Sequence, residues 1–289
     1  MSAAPAPVGF IGLGNIGGPM AKRLIGWAGG LTVCDALPAA TEPFAAGGAH
    51  VATTPAELAE RSTVISIMVR DDAQVTDVLT DPDGILSTAQ PGTVVAVHST
   101  VLADTPARLA AICEEKGVHL LDAPVSGGFM GAHEGTLALM IGGDQEAVDL
   151  VREPFATFAT LVAHLGPVGA GTQAKLARNL ITFASYSAVG EAMRLAEAAG
   201  IDLNLLGQVV RHSDQVTGGP GSIMVRPSAA PLDPSDGLYD SFFHGAALGE
   251  KDVRLAIALG EELGVDTPIA HLTADLLPGA MGMPPKAES

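Results

Sequence analysis

Lys175 and Asn179 stand four residues apart in Gly169-Ala170-Gly171-Thr172-Gln173-Ala174-Lys175-Leu176-Ala177-Arg178-Asn179. On a helix this spacing puts an ammonium and an amide on one face, about 6 Å apart at Cβ. The chain has only five lysines, and this one lies in an apolar, small-residue stretch where a merely solubilising charge is not expected. Far upstream, Gly12-Leu13-Gly14-Asn15-Ile16-Gly17 follows a short apolar run and opens a helical pattern. In such a turn the first glycine permits the tight bend and the second lets the backbone approach a pyrophosphate. The third lets helix and strand pack closely, and the helix N-terminus offers unpaired N–H donors. An amine that exchanges a proton beside a bound nicotinamide is what a hydroxyl–carbonyl interconversion needs.

Three glycines alone say little in a chain that has 35 of them. The strand, the helix and an acid after the second strand coincide here, which a bare tight turn does not require. That acid is Asp35, closing Leu31-Thr32-Val33-Cys34-Asp35. Its carboxylate can accept hydrogen bonds from adenosine ribose hydroxyls and would repel a 2′-phosphate. Ala36 and Leu37 supply no arginine for such a phosphate, so NAD is expected in preference to NADP. The competing reading is a structural turn, with Asp35 capping the next helix.

Asp122-Ala123-Pro124-Val125-Ser126-Gly127-Gly128 follows another apolar run, at the carboxyl edge where open sheets bind ligands. Ser126 offers a hydroxyl, and Gly127 and Gly128 can turn successive N–H groups toward an anion such as a substrate carboxylate. The eight histidines are scattered without paired ligand spacing, and Cys34 and Cys113 sit in apolar surroundings, so no metal and no disulfide is expected.

The elements that must hold these residues alternate in the first part of the chain. Strands are predicted at 8–13, 31–34, 64–68, 93–97 and 119–121, and amphipathic helices at 19–27, 55–60, 73–79 and 105–116. That alternation indicates an α/β architecture with a doubly wound, Rossmann-type parallel sheet. Runs at 137–141 and 160–164, flanking a helix at 145–158, extend it. From about Gly171 the pattern is helical only. A long helix over 172–199 joins the halves, followed by helices at 203–211, 247–263 and 268–277, with a Pro/Gly/Ser-rich loop over 218–237. The expected domains are therefore 1–166, binding NAD, and 167–289, all-α, for substrate and dimerisation.

The bulk composition excludes some partners. A net charge of −17 opposes nucleic acid and anionic membrane surfaces, so an anionic ligand must be held by local donors. No stretch reaches the length of a membrane span without Gly, Pro or charge, and the first residues lack the pattern of a secretory signal. A soluble, cytoplasmic protein is expected.

Four segments in order resemble the β-hydroxyacid dehydrogenase family, which includes 3-hydroxyisobutyrate dehydrogenases and tartronate semialdehyde reductases. They are 9–24, 122–128, 166–179 and Lys251-Asp252-Val253-Arg254-Leu255-Ala256, and 135–143 is also similar. The resemblance implies that Lys175 is the catalytic lysine, that Asn179 helps fix the substrate, and that Ser126 and Gly127 contact its carboxylate. It places Ser99 and Thr100 by the nicotinamide ribose, Val69 as a backbone contact to the cofactor, and Lys251 as a lysine reaching the cofactor from the helical part. A homodimer or homotetramer is implied as well. Lys251 could instead pair with Glu250 or Asp252 on a solvated face. The chain departs from the family pattern at Arg70, where proline is frequent, at His244, where an aromatic residue is usual, and in the irregular 218–237 segment.

The activity implied is hydride transfer between a nicotinamide cofactor and a short β-hydroxy acid, with its semialdehyde or keto acid as the other partner. An imine reductase shares the fold but typically lacks lysine at position 175. A 6-phosphogluconate dehydrogenase carries a His-Asn pair after its lysine, where this chain has Arg178-Asn179. A non-catalytic dinucleotide sensor would need the phosphate turn but not the lysine–asparagine pair.

Overall fold

Four short apolar runs are buried along their whole length: Val8–Ile11 (β1), Leu31–Cys34 (β2), Val64–Ile67 (β4) and Val94–Val97 (β5). Strands apolar on both faces require cover on both faces, and helices supply it. With His50–Val51 (β3) and His119–Asp122 (β6), these strands form a parallel sheet in the order 3-2-1-4-5-6. The computed structural model describes residues 4–226 and 228–284.

The covering helices are Gly17–Lys22 (α1), Pro38–Ala46 (α2), Pro55–Ala59 (α3), Asp72–Thr80 (α4) and Thr105–Glu114 (α5). Side-chain caps start two of them, with Thr54 accepting from the Glu57 N–H and Asp71 from the Gln74 N–H. One core layer gathers Phe10, Met20, Leu24, Phe44, Phe155 and Phe158; the other gathers Leu58, Ile65, Ile67, Leu79 and Leu109. Cys34 and Cys113 are free and buried, and desolvation pushes their thiols up to about 11 and about 12, with Asp35 and Glu57 adding to the rise at Cys34.

Beyond β6 the sheet is mixed rather than purely parallel. Val125–Ser126 (β7) and β6 both run antiparallel to Leu137–Gly142 (β8), which pairs in parallel with Ala159–Gly166 (β9). Between β7 and β8 the chain turns through a seven-residue helix, Gly128–Glu134 (α6), too short to act as a parallel crossover. Gln145–Phe155 (α7) then supplies the longer crossover that lets β9 run parallel to β8.

The contacts divide the chain into two compact units, Met1–Arg178 and Asn179–Ser289. The division falls past the expected boundary at Gly166, because the opening turns of Ala170–Ala198 (α8) are bonded to the end of β6 and to β7.

The second unit is helical. It contains the remainder of α8, Leu203–Thr217 (α9), Tyr239–Leu263 (α10) and Pro268–Ala280 (α11). α9 and α11 run past their predicted ends, to Thr217 and Ala280, whereas α10 ends at Leu263 as predicted and starts eight residues earlier, at Tyr239. Left-handed Gly218 stops α9 and left-handed Gly264 stops α10. Glu191, a buried carboxylate of α8, accepts from the Ile269 and Ala270 N–H groups at 2.8 and 2.7 Å and so caps α11. The irregular segment after α9 forms a 3₁₀ turn at Gly219–Ile223. Arg226 then fastens it, donating to the Ala280 carbonyl at 2.7 Å and lying over the Phe242 ring. Among the described residues, no helix is long and apolar enough to cross a membrane, and no group of three or more His, Cys, Asp or Glu side chains could hold a metal ion.

Candidate active site in the first unit

At the carboxyl end of β1 the backbone turns at Gly12, whose φ is +91° and whose missing Cβ would press on the Met68 carbonyl. Gly17 lets α1 sit against the Gly12 carbonyl. Gly14 differs from both: a Cβ there would meet no other atom of the described residues within 4 Å. Packing does not require glycine at that position, whereas close approach of a ligand phosphate does. The turn therefore fits the cofactor its sequence implies. Asn15 is exposed beside it, and Leu13 and Ile16 face inward.

Asp35 holds this turn in place. One carboxylate oxygen accepts from the Leu13 N–H at 2.6 Å and the other from the Leu37 N–H at 2.8 Å. The acid is thereby fixed at the end of β2 with lone pairs still available for ribose hydroxyls. The same bond to Leu37 closes the turn between β2 and α2, whose N-cap is Leu37 without a side-chain cap bond. A cleft of about 330 Å³ runs from Leu13, Gly14 and Asn15 past Lys22 to Phe129 and His133. Lys22 is a basic group at this turn that the glycine spacing did not single out.

Val69 and Ser99 are brought together at the ends of β4 and β5. The Ser99 hydroxyl donates to the Val69 carbonyl at 2.7 Å and accepts from the Val69 N–H at 3.0 Å. Ser99 is therefore buried and occupied in holding the Val69 loop, while Thr100 next to it is exposed. Behind them His98 is fully buried among Phe10, Phe155 and Phe158. Burial lowers its pKa to about 4, only partly offset by the Ala123 bond, so the ring is neutral. Nδ1 then donates to the Ala123 carbonyl at 2.8 Å, and Nε2 accepts from the Ser66 hydroxyl at 3.0 Å. This ring links the ends of β4, β5 and β6.

Lys175 reaches the β7 segment. Its Nζ donates to the Val125 carbonyl at 2.6 Å, which sets the amine beside Ser126, Gly127 and Gly128. The side chain is half-buried, and desolvation lowers its pKa, with the nearby Arg178 charge pushing the same way. Ser126 closes β7 opposite Ala138, and Gly127 and Gly128 follow at φ of +132° and +63°. Both glycines are exposed at the start of α6, which has no side-chain cap. A partly desolvated amine and a set of main-chain N–H groups thus occupy one corner of the first unit.

Asp122 was part of the sequence motif but had no role there. It is a buried carboxylate that accepts from the Gly169 N–H at 2.7 Å and the Thr172 N–H at 2.6 Å, capping α8. One signal pointed to it: Gly169 and Ala170 give this long helix no capping side chain of its own, so the cap had to come from elsewhere.

The other two expected site residues belong to the second unit. Asn179 lies on α8 four residues past Lys175. Lys251 is exposed on α10 and pairs with Asp252 at 2.9 Å, while Arg254 pairs with Glu250. His244 donates back to the Asp240 carbonyl on the same helix.

Residues 7–166 match the family model of the NAD binding domain of 6-phosphogluconate dehydrogenase. Residues 169–283 match the model described as NAD-binding of NADP-dependent 3-hydroxyisobutyrate dehydrogenase. An uncharacterized oxidoreductase of Mycobacterium tuberculosis is 51% identical, over 96% of this chain and 94% of its own. The NAD-dependent L-serine dehydrogenase of Pseudomonas aeruginosa is 33% identical, over 93% and 90%. Mouse mitochondrial 3-hydroxyisobutyrate dehydrogenase is also 33% identical, over 88% and 76%.

Among solved structures, an oxidoreductase from Mycobacterium avium superposes with a TM-score of 0.90 at 48% identity, covering 96% of this chain and 99% of that one. The 3-hydroxyisobutyrate dehydrogenase of M. tuberculosis with L-serine gives 0.67 at 31% identity, covering 94% and 92%. An imine reductase from Myxococcus stipitatus gives 0.74 at 20% identity, covering 95% and 93%, a likeness of fold alone.

The glycine geometry separates binding from folding. Gly14→Ala is expected to melt as the parent does while losing at least about tenfold in NAD affinity, or about 1.4 kcal/mol. Gly12→Ala, at a positive φ and against a carbonyl, is expected to lose about 1–3 kcal/mol of stability. Thermal unfolding beside calorimetric NAD titration reads both, and equal melting of the two variants would contradict the assignment.

Proposed function

This chain belongs to the β-hydroxyacid dehydrogenase family of NAD(P)-dependent oxidoreductases acting on CH–OH groups, and we propose that it interconverts a short β-hydroxy acid with its semialdehyde or keto acid. The observation that carries this reading is the Lys175 amine, held at 2.6 Å from the Val125 carbonyl beside the Ser126 turn. Relatives named for L-serine and for 3-hydroxyisobutyrate support the substrate class, since both compounds are β-hydroxy acids.

In oxidation, neutral Lys175 accepts the proton of the substrate hydroxyl; in reduction, its ammonium returns that proton to the forming alkoxide. Bound NAD supplies the hydride acceptor, or in its reduced form the hydride donor. A desolvated lysine suits this exchange because burial disfavours the charged form and enlarges the neutral fraction at a given pH. Ser126 and the N–H groups of Gly127 and Gly128 receive the substrate carboxylate, and Asn179 orients the substrate. The turn from Gly12 to Gly17 takes the pyrophosphate, Val69 and Thr100 line the nicotinamide end with Ser99 holding the Val69 loop behind them, and Lys251 contributes from α10.

We assign NAD as the preferred cofactor. The Asp35 carboxylate at the end of β2 would repel a 2′-phosphate, and Ala36, Leu37 and Pro38 bring no cation to offset it. A homodimer or homotetramer is part of the same proposal. The amphipathic helix α9 buries no residue, and Leu180, Phe183 and Tyr186 of α8 are more than half exposed. Apolar surface on this scale favours a partner, and a second copy is always available in equal amount.

Lys175→Ala is expected to lower kcat at least about 100-fold, the range of one general acid–base group, with NAD affinity unchanged. Steady-state kinetics on a panel of short 3-hydroxy acids, beside calorimetry, checks this; turnover within about tenfold of the parent would end the assignment. Wild-type protein should saturate with NAD at lower concentration than with NADP, and should sediment at no less than twice its chain mass of 29.2 kDa. Equal affinities would remove the role given to Asp35, and a monomer would remove the assembly.

A further inference from the structure

Two hydrogen bonds and two short stretches of backbone close a small ring that includes the lysine. Asp122 leads through Ala123 and Pro124 to Val125, whose carbonyl holds Lys175 Nζ. Lys175 lies one helical turn after Thr172, whose N–H returns to the Asp122 carboxylate at 2.6 Å, while the other carboxylate oxygen holds the Gly169 N–H at 2.7 Å. Both sides of the ring are fixed to the sheet. On the strand side, His98 holds the Ala123 carbonyl and the Met140 N–H holds the Pro124 carbonyl at 3.1 Å. On the helix side, Gly171 allows the first turn of α8 to press against the Met140 and Asp122 carbonyls, where a Cβ would not fit.

We propose that Asp122 is the positioning residue of the reaction, setting where the Lys175 amine stands by clamping the first turn of α8 to the end of β6. The carboxylate is buried and occupied by two backbone N–H groups, so its role is exerted through the lysine. Two charge-assisted bonds from one carboxylate to N–H groups three residues apart fix both the depth and the rotation of a helix start. Rotation matters here because Lys175 follows Thr172 by three residues, and any turning of the helix about its axis swings Nζ away from Val125. This inference rests on the proposed role of Lys175 in proton transfer, and adds to it the group that keeps the amine partly desolvated.

Asp122→Asn tests it, because the amide keeps the shape but presents an NH₂ group to one of the two N–H donors. The ε-carbon NMR resonance of Lys175 reports that lysine's titration in the protein without substrate, and so without reference to catalysis. With Arg178 unchanged beside it, release of Lys175 toward water relieves its desolvation, and its pKa should rise by about one unit. The acidic limb of kcat for hydroxy-acid oxidation should move up with it. kcat should fall by about tenfold or more while KM for NAD stays within about twofold. Hydrogen exchange at the Gly169 and Thr172 amides should accelerate.

An unchanged Lys175 titration with accelerated exchange at those amides would overturn the proposal. If the amide variant does not fold, Gly142→Ala takes its place, since its Cβ would meet Asp122 Oδ1 at 2.5 Å, the Pro167 carbonyl at 2.7 Å and the Ala170 N–H at 2.9 Å, and so push the helix start off the intact carboxylate. Failure of both to fold would make the joint a stability element and contradict a positioning role. Retained turnover in Lys175→Ala would fail the functional reading alone, leaving the NMR shift in Asp122→Asn to stand or fall separately.

Discussion

An ammonium group that surrenders part of its hydration for one backbone carbonyl is held at a cost, and the first unit is built to sustain that cost at Lys175. Water would solvate the amine better than the Val125 carbonyl does, so the pairing persists only if helix and strand cannot separate. The Asp122 carboxylate and the His98 ring hold this corner at two points, and Gly142 and Gly171 permit the close approach that those bonds need. The same rigidity gives the arrangement its chemical use. A lysine free to extend into solvent keeps its proton, whereas one desolvated by burial and set beside an arginine gives it up more readily.

The dinucleotide turn follows the opposite logic. There the strain is in the backbone, at Gly12, and the open space lies above Gly14. Asp35 bears on both, since its carboxylate steadies the turn through the Leu13 N–H and is the group we propose for the cofactor ribose. Ser99 makes a comparable joint between β4 and β5 by holding both polar atoms of Val69. Three of the loops at the carboxyl edge of the sheet are thus fastened by side-chain bonds that span from 22 to 50 residues of sequence.

That span explains what could be read in the sequence and what could not. The turn from Gly12 to Gly17, the acid at Asp35 and the long helix with Lys175 were legible because each is local: strand, bend and helix follow within a few residues. The apolar four-residue strands were legible for the same reason. The two-residue strands β3 and β7 were not, because they gain their identity only from neighbours in the sheet. Helix α2 carries a proline inside it, and α6 starts on two glycines, so propensity pointed away from both. The reversal of direction at β8 depends on how short α6 is, which periodicity does not report. Asp122 lies in a quoted motif, yet its partners sit 47 and 50 residues away, and only the missing local cap on α8 hinted at them.

The most direct test is to compare, in wild-type protein, the pKa read from the Lys175 ε-carbon resonance in the NAD complex with the pKa of the acidic limb of hydroxy-acid oxidation. The two values should agree and lie below the ordinary lysine value of about 10.4. A lysine that titrates at its ordinary value, or a kinetic limb more than about one unit from it, would contradict the assignment of the proton to that amine.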